Sequence, residues 1–436
     1  MKHLLIPVIA LCFLGTACSS DPQPASTDRF TFDSIPAGQA GLHPDSLNSV
    51  TEFLRDGVDT GKIPGSVLTI VTDGAIVYSE AEGMADIEDE IQMEYHHIFR
   101  MASMTKPVTS VAVLMLAEEG KLSVNDPVSK FIPEFSEPAI LETVDMTDTT
   151  WSSRPAENEV TLHHLLTHTS GVAYGFIDEE LGAVYQKAGV PDGTVMDGRT
   201  LEQTMSRLGE LPLKHEPGSA WTYGLSTDIL GRVVEVASGM PLDRYFQENI
   251  FEPLGMHNTG FNIQPEEQER IVALYRNTRP NELQKIPRLS VQSSDTLSTG
   301  AGQMPHVGYF SGGSGLLGTA EDYQRFLQTI LNGGQLGDVR LFGEETARYL
   351  KKHQINDLRL GEDGFSYAFQ VTMQDGDLKN NRQPGRLQWG GLFQTHFWLD
   401  PARNTTVVLM TQVYPSMHQQ ELYNEVEQRI NRSFIE

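Results

Sequence analysis

The sequence predicts an α/β fold of the α+β kind: one antiparallel β-sheet flanked by helices, built from both ends of the chain, plus an all-helical lobe in the middle. Three observations predict it. Two β-rich runs, Ser66–Val71 and Ala75–Ser79, lie early and are joined by Thr72-Asp73-Gly74, and Asp-Gly between such runs signals a hairpin. The β pattern returns only near the end, in Ser366–Thr372, Gly385–Gln388, Gln394–Leu399 and Thr405–Met410. Between the two regions the apolar residues recur at helical spacing.

The elements follow in order. Asp45-Ser46 can cap a helix carrying Leu47, Val50, Phe53, Leu54 and Val58 on one face. A helix is expected from Ser103 to about Glu119, stopped by Gly120. Others are expected at Leu162–Thr167, Leu201–Leu208, Thr227–Ala237, Leu242–Ile250, Ala320–Asn332 and Glu344–His353. The turn-rich Asp400-Pro401-Ala402-Arg403-Asn404 separates the last two strands, and an amphipathic helix closes the chain at about His418–Asn431. Residues 272–310 are polar and irregular and fit no element. The domain expected over 44–436 divides into a sheet lobe (44–100 and 310–436) and a helical lobe (101–309), with a site where the lobes meet.

Residues 1–18 stand apart: a short basic start, an apolar run from Leu4 to Leu14, and small residues before Cys18. The run is too short to span a bilayer and reads as a signal peptide. Gly15-Thr16-Ala17-Cys18 resembles a bacterial lipoprotein cleavage box, with Cys18 as the lipidated residue. Residues 19–43 then form a flexible tether, and the protein is expected on the periplasmic side of a bacterial membrane, touching it only through the lipid. Cys12 and Cys18 are the only cysteines, which excludes a disulfide, a cysteine nucleophile or a thiolate metal site in the body. The net charge of −26 repels phosphate backbones and argues against nucleic-acid binding.

The chemistry concentrates in Arg100-Met101-Ala102-Ser103-Met104-Thr105-Lys106-Pro107. Residues three apart on a helix face the same way, so Ser103 and Lys106 are neighbours. A serine hydroxyl needs a base within hydrogen-bond reach, and a lysine in an apolar setting can serve. Ser-x-x-Lys alone is common; here Met101, Ala102, Met104, Val108, Val111, Ala112, Leu114 and Met115 surround the lysine with apolar neighbours. His164 and His168 have the spacing of zinc ligands on a helix, but no glutamate follows the first, so a structural role is expected. Gly312-Gly313-Ser314-Gly315 reads as a close-packing turn near the site, and no phosphate-cradling loop or Gly-x-Ser-x-Gly elbow occurs.

Further along, Thr161–Gly171 (TLHHLLTHTSG), Glu216-Pro217-Gly218 with Trp221-Thr222-Tyr223, Pro253-Leu254-Gly255-Met256, Gly315–Ala320 with Asp322, and Trp389-Gly390-Gly391 follow Ser103–Lys106 in order. This series resembles the serine β-lactamase and penicillin-binding-protein-like superfamily, closest to its class C-like branch and the family VIII carboxylesterases, over about residues 44–432. The resemblance implies a β-lactamase/transpeptidase-like fold, no cofactor or metal, and an acyl-enzyme formed on Ser103. Lys106 and Tyr223 are then its proton partners, either one able to take the serine proton. The backbone N–H groups of Ser103 and Leu392 form an oxyanion hole, and Trp389, Gly390 and Gly391 contact the substrate. Two positions depart from classical β-lactamases: Leu225 stands where they carry Asn, and Trp389-Gly390-Gly391 where they carry Lys-Thr-Gly. Without that lysine an anionic antibiotic loses a charge-assisted partner. The expected function is therefore a carboxylesterase on short or medium acyl esters. The alternatives are a β-lactamase or D-amino-acid-specific peptidase and, in a different class, a non-catalytic binding protein of the same fold.

Overall fold

The computed structural model describes residues 30–191, 199–286, 309–374 and 381–435; the expected signal segment, Cys18 and part of the tether lie outside the described residues. The chain opens with α1 (Pro44–Asp59), which starts at Pro44 itself. Proline is favoured at the first helical position, where its missing N–H breaks no bond.

Eight strands form the main antiparallel sheet: β1 (Gly65–Thr72), β2 (Ala75–Asp86), β3 (Ile91–Gln92), β4 (Gly364–Phe365), β5 (Gln370–Val371), β6 (Leu387–Gly391), β7 (Thr395–Asp400) and β8 (Thr405–Met410). Their spatial order is β4-β5-β6-β7-β8-β1-β2-β3, so the two ends of the chain meet where β8 pairs with β1, Val67 opposite Met410 and Thr72 opposite Thr405. Side chains alternate across this central pair. Leu68, Ile70, Val407 and Leu409, joined by Trp398 of β7, pack beneath α1 and the closing helix α5 (Gln419–Ser433). Val67, Val408, Met410, Phe397 and Leu399 face the other way, into the larger core. There α2 (Thr105–Glu118) and α4 (Ala320–Leu331) cover the sheet, Tyr323 of α4 lying edge-on to Phe397 at 5.0 Å. Strands buried on both faces lose the alternation of polar and apolar residues, as β1 and β8 do.

The middle of the chain is mainly helical, with α3 (Ser226–Ser238) at its centre, but it also holds two hairpins that the sequence pattern does not announce. Ala139–Asp145 pairs with Thr150–Pro155, and Tyr275–Arg279 with Glu282–Lys285. The first is mostly exposed on both faces, so it has no apolar stripe to betray a two-residue period. Its turn is held by the Asp145 carboxylate, which accepts from Thr147 N at 2.9 Å. Among the described residues no helix is long and apolar enough to cross a membrane.

Two buried histidines make the fold acid-sensitive. Burial pushes His168 down to about 3, helped by the Lys106 charge, and pushes His396 down to about 3 despite nearby Glu427. Both are neutral in the folded protein yet titrate near 6.5 when unfolded. The unfolded chain thus binds more protons in this window, and the stabilisation is complete above pH 6.5 and lost as pH falls towards 3. Urea unfolding between pH 7 and 4 should show stability falling by several kcal/mol. His168→Phe should reduce that slope, and an unchanged slope would show that His168 carries none of it.

Candidate active site

The turn that carries Ser103 is set by short β pairing and by strain. Phe99–Arg100 pairs with Leu317–Gly318, and Met101 N donates to the Leu316 carbonyl at 2.9 Å. The chain then bends through Ala102, buried and left-handed at φ 45°, which costs on the order of 1 kcal/mol for a residue with a Cβ. Ala102–Met104 forms a 3₁₀ turn, and α2 begins only at Thr105. Ser103 therefore stands on the turn before the helix and not at its first α-helical residue. The turn is pinned from α4, where the Tyr323 hydroxyl donates to Met104 O at 2.9 Å. Every residue from Thr105 to Leu116 is buried, so α2 carries Lys106 into the interior.

Lys106 is 2% exposed. Its Nζ donates to Ser103 Oγ at 3.3 Å, to the Tyr174 hydroxyl at 2.9 Å and to the Gly313 carbonyl at 2.8 Å. Three acceptors match the three protons of an ammonium group. On the other side, the Tyr223 hydroxyl donates to Ser103 Oγ at 2.7 Å, and Lys106 Nζ lies 4.8 Å from the Tyr223 ring centroid. Tyr223, distant in sequence, is thus brought into direct contact with the neighbouring Ser103 and Lys106.

Aromatic packing holds Tyr223. Trp221 stacks nearly parallel to it at 5.9 Å, and Trp389, Tyr174 and His168 approach at 5.5, 5.2 and 5.1 Å. His168 is therefore part of the wall behind the tyrosine, while His164 closes a capping box with Thr161; the pair does not converge on a shared point. Leu225 is buried at the head of α3. A cavity of about 390 Å³ opens over Ser103, with Tyr223, Trp389, Gly390, Gly391 and Leu392 among its walls. The amides of Ser103 and Leu392, both at this cavity, donate to no protein acceptor among the described residues. Gly391 lets β6 press against the Met101–Ser103 turn: a Cβ there would collide with the Met101 carbonyl and Thr395 Oγ1.

Two residues of the site escape the sequence pattern. Tyr174 lies in a loop directly after the Ser170-Gly171 segment, where nothing periodic marks it. Asp228 sits on the buried face of α3 and is fully enclosed. Its Oδ1 accepts from Ser311 Oγ at 2.6 Å and from Gly313 N at 3.4 Å, so it grips the loop whose carbonyl holds Lys106. Burial raises the Asp228 carboxyl, opposed by the Lys106 charge. A carboxylate on an otherwise apolar helix face is the signal that could have found it.

Gly391→Ala should force β6 and the Met101–Ser103 turn apart. Overpacking of this kind costs about 1–3 kcal/mol, so thermal unfolding of a body this size should move down by about 1–4 degrees; a Tm indistinguishable from the parent's would show that the contact yields freely.

Comparisons with known proteins point to one family and fold. The Beta-lactamase family model matches residues 50–429. Esterase EstB of Burkholderia gladioli is 33% identical over 80% of this chain and 86% of its own length. A putative D-alanyl-D-alanine carboxypeptidase of Escherichia coli K12 is 28% identical over 86% of this chain and 83% of its own. Among solved structures, EstCE1, a hydrolase with promiscuous acyltransferase activity, superposes with a TM-score of 0.73 at 27% identity, covering 90% of this chain and 99% of that one. The simvastatin synthase LovD of Aspergillus terreus gives 0.74 at 22% identity, over 90% and 99% of the two chains, a likeness of fold alone. With the family model spanning nearly the whole described body and the paired serine and lysine in contact, the chain belongs to the beta-lactamase family of serine hydrolases.

Proposed function

We propose that the protein is a carboxylesterase that works through an acyl-enzyme on Ser103. The observation that carries this reading is the position of Ser103 Oγ, 2.7 Å from the Tyr223 hydroxyl and 3.3 Å from Lys106 Nζ, beneath a cavity that no lysine or arginine lines among the described residues. With one proton removed from the Lys106–Tyr223 pair, the pair accepts the Ser103 proton as Oγ attacks the ester carbonyl. The oxyanion that forms is met by the Ser103 and Leu392 amides. Collapse expels the alcohol, which takes the proton back from the pair, and a water molecule repeats the sequence to release the acid.

The substrate preference rests on Trp389. It presents an aromatic wall to the cavity, and Phe176 and Ile177, 54% and 58% exposed, extend an apolar rim. Such a wall accommodates a neutral acyl chain and offers no partner to a carboxylate. The same proposal includes export and lipid anchoring at Cys18, supported by the apolar segment that precedes it and the absence of any cysteine after it.

Incubation with p-nitrophenyl acetate and butyrate, a chromogenic cephalosporin and a D-alanyl-D-alanine peptide separates the readings. Ester turnover should dominate and fall by at least about 10³-fold in Ser103→Ala; cephalosporin or peptide turnover clearly above ester turnover would overturn the assignment. Tyr174→Phe removes one of the three acceptors of Lys106 and should lower kcat about three- to tenfold, with KM little changed. Radiolabelled palmitate should enter the full chain in a bacterial host and not its Cys18→Ala form; equal labelling of both would refute the anchor.

A further inference from the structure

The cavity over Ser103 does not end at Trp389. It continues around the edge of β6 to the opposite face of the sheet, beneath the start of α5. Two features open this path. β5 pairs with β6 only at Val371–Leu387 and Gln370–Gln388, so among the described residues no strand lies beside Trp389–Gly391 on that side. Gly390 also lacks the side chain that would crowd the Thr395 carbonyl at 2.8 Å and His396 Nδ1 at 3.3 Å. Strand alternation then divides the walls: Trp389 faces the nucleophile, whereas Gln388 and Gly390, opposite Trp398 and His396, face α5.

The chemistry of this second branch differs from that of the first. Three glutamines line it, and each commits one half of its amide to the protein. Gln370 Nε2 donates to Asp363 at 2.6 Å, Gln388 Oε1 accepts from Arg386 at 3.2 Å, and Gln419 Nε2 donates to the Tyr423 hydroxyl at 3.1 Å. The other halves, Gln370 Oε1, Gln388 Nε2 and Gln419 Oε1, have no protein partner among the described residues. Gln388 is only 5% exposed, and its amide nitrogen, without a protein partner, is open to the cavity as a donor for a ligand. The floor is aromatic, His396 stacking on Tyr423 at 4.5 Å. Burial keeps His396 neutral, and Arg386 is fully enclosed against Glu427. The branch therefore offers one donor and two acceptors with no net charge.

We propose that this branch is a subsite for a neutral, hydroxyl-rich group: the polyol portion, glycerol or sugar, of an ester whose acyl carbon lies at Ser103. Hydroxyls both donate and accept, so they satisfy a mixed set of amide ends that neither a carboxylate nor an ammonium could satisfy. The inference rests on the esterase reading and specifies its substrate.

Glyceryl monobutyrate and propyl butyrate share an acyl group and a three-carbon alcohol and differ only in two hydroxyls; 6-O-butyrylglucose adds the sugar arm. The wild-type protein should favour one or both polyol esters over propyl butyrate by about tenfold in kcat/KM, mainly through KM. The polyol ester preferred identifies the source. Gln419→Leu, on the half-buried start of α5, should lower the polyol-to-propyl ratio three- to tenfold, the worth of one hydrogen bond. Gln370→Leu provides a second, independently folding probe. Equal use of polyol and propyl esters, or a ratio that neither variant moves, would overturn the subsite while leaving the esterase reading intact. Absence of any p-nitrophenyl acetate turnover by the wild type would overturn both.

Discussion

The arrangement of the centre of the molecule depends on one buried ammonium group. Removing a charge from water costs several kcal/mol unless each proton finds an acceptor. Lys106 finds its three on separate pieces of chain: the turn before α2, the loop at Tyr174 and the loop at Gly313. Those pieces must therefore be in register for the lysine to be tolerated at all. Asp228 extends the constraint by tying α3 to the Gly313 loop. The same contacts place Ser103 Oγ between an amine and a phenol, so the condition for stability and the condition for chemistry coincide.

The two sides of the cavity show how a single strand can serve two environments. Trp389 presents an aromatic surface towards Tyr223, and the residues flanking it in sequence face the amide-lined branch under α5. Among the described residues no lysine or arginine lines either side, and the protein as a whole carries −26. Local contacts and the long-range field act together against anionic substrates.

The sequence made some parts legible and hid others for physical reasons. Ser103 and Lys106 are visible because three-residue spacing fixes their neighbourhood. β1 and β8 are visible as β-branched runs. β6 is harder: two of its five residues are glycines, which weaken any strand signal, and the expected span Gly385–Gln388 stops short of Leu387–Gly391. Tyr174 contributes through contacts across the fold, which no local pattern encodes, whereas Asp228 shows itself only as a carboxylate on a helix face that is otherwise buried. The helix at Glu179–Ala188 was missed although Asp178 caps it, because its apolar face is short. The two exposed hairpins likewise lack a stripe to mark them.

The pairing of β1 with β8 joins residues more than three hundred positions apart. Loop closure on that scale comes late, since non-local contacts repay the lost chain entropy only once both partners exist. An emerging chain can form the β1–β2 hairpin early, yet its outer edge waits for the last strands to be synthesised. Until then an apolar eight-residue strand is left open to pairing with other chains. Shortening the chain before Thr405 would leave that edge permanently uncovered, turning a truncation far from Ser103 into an aggregation-prone product.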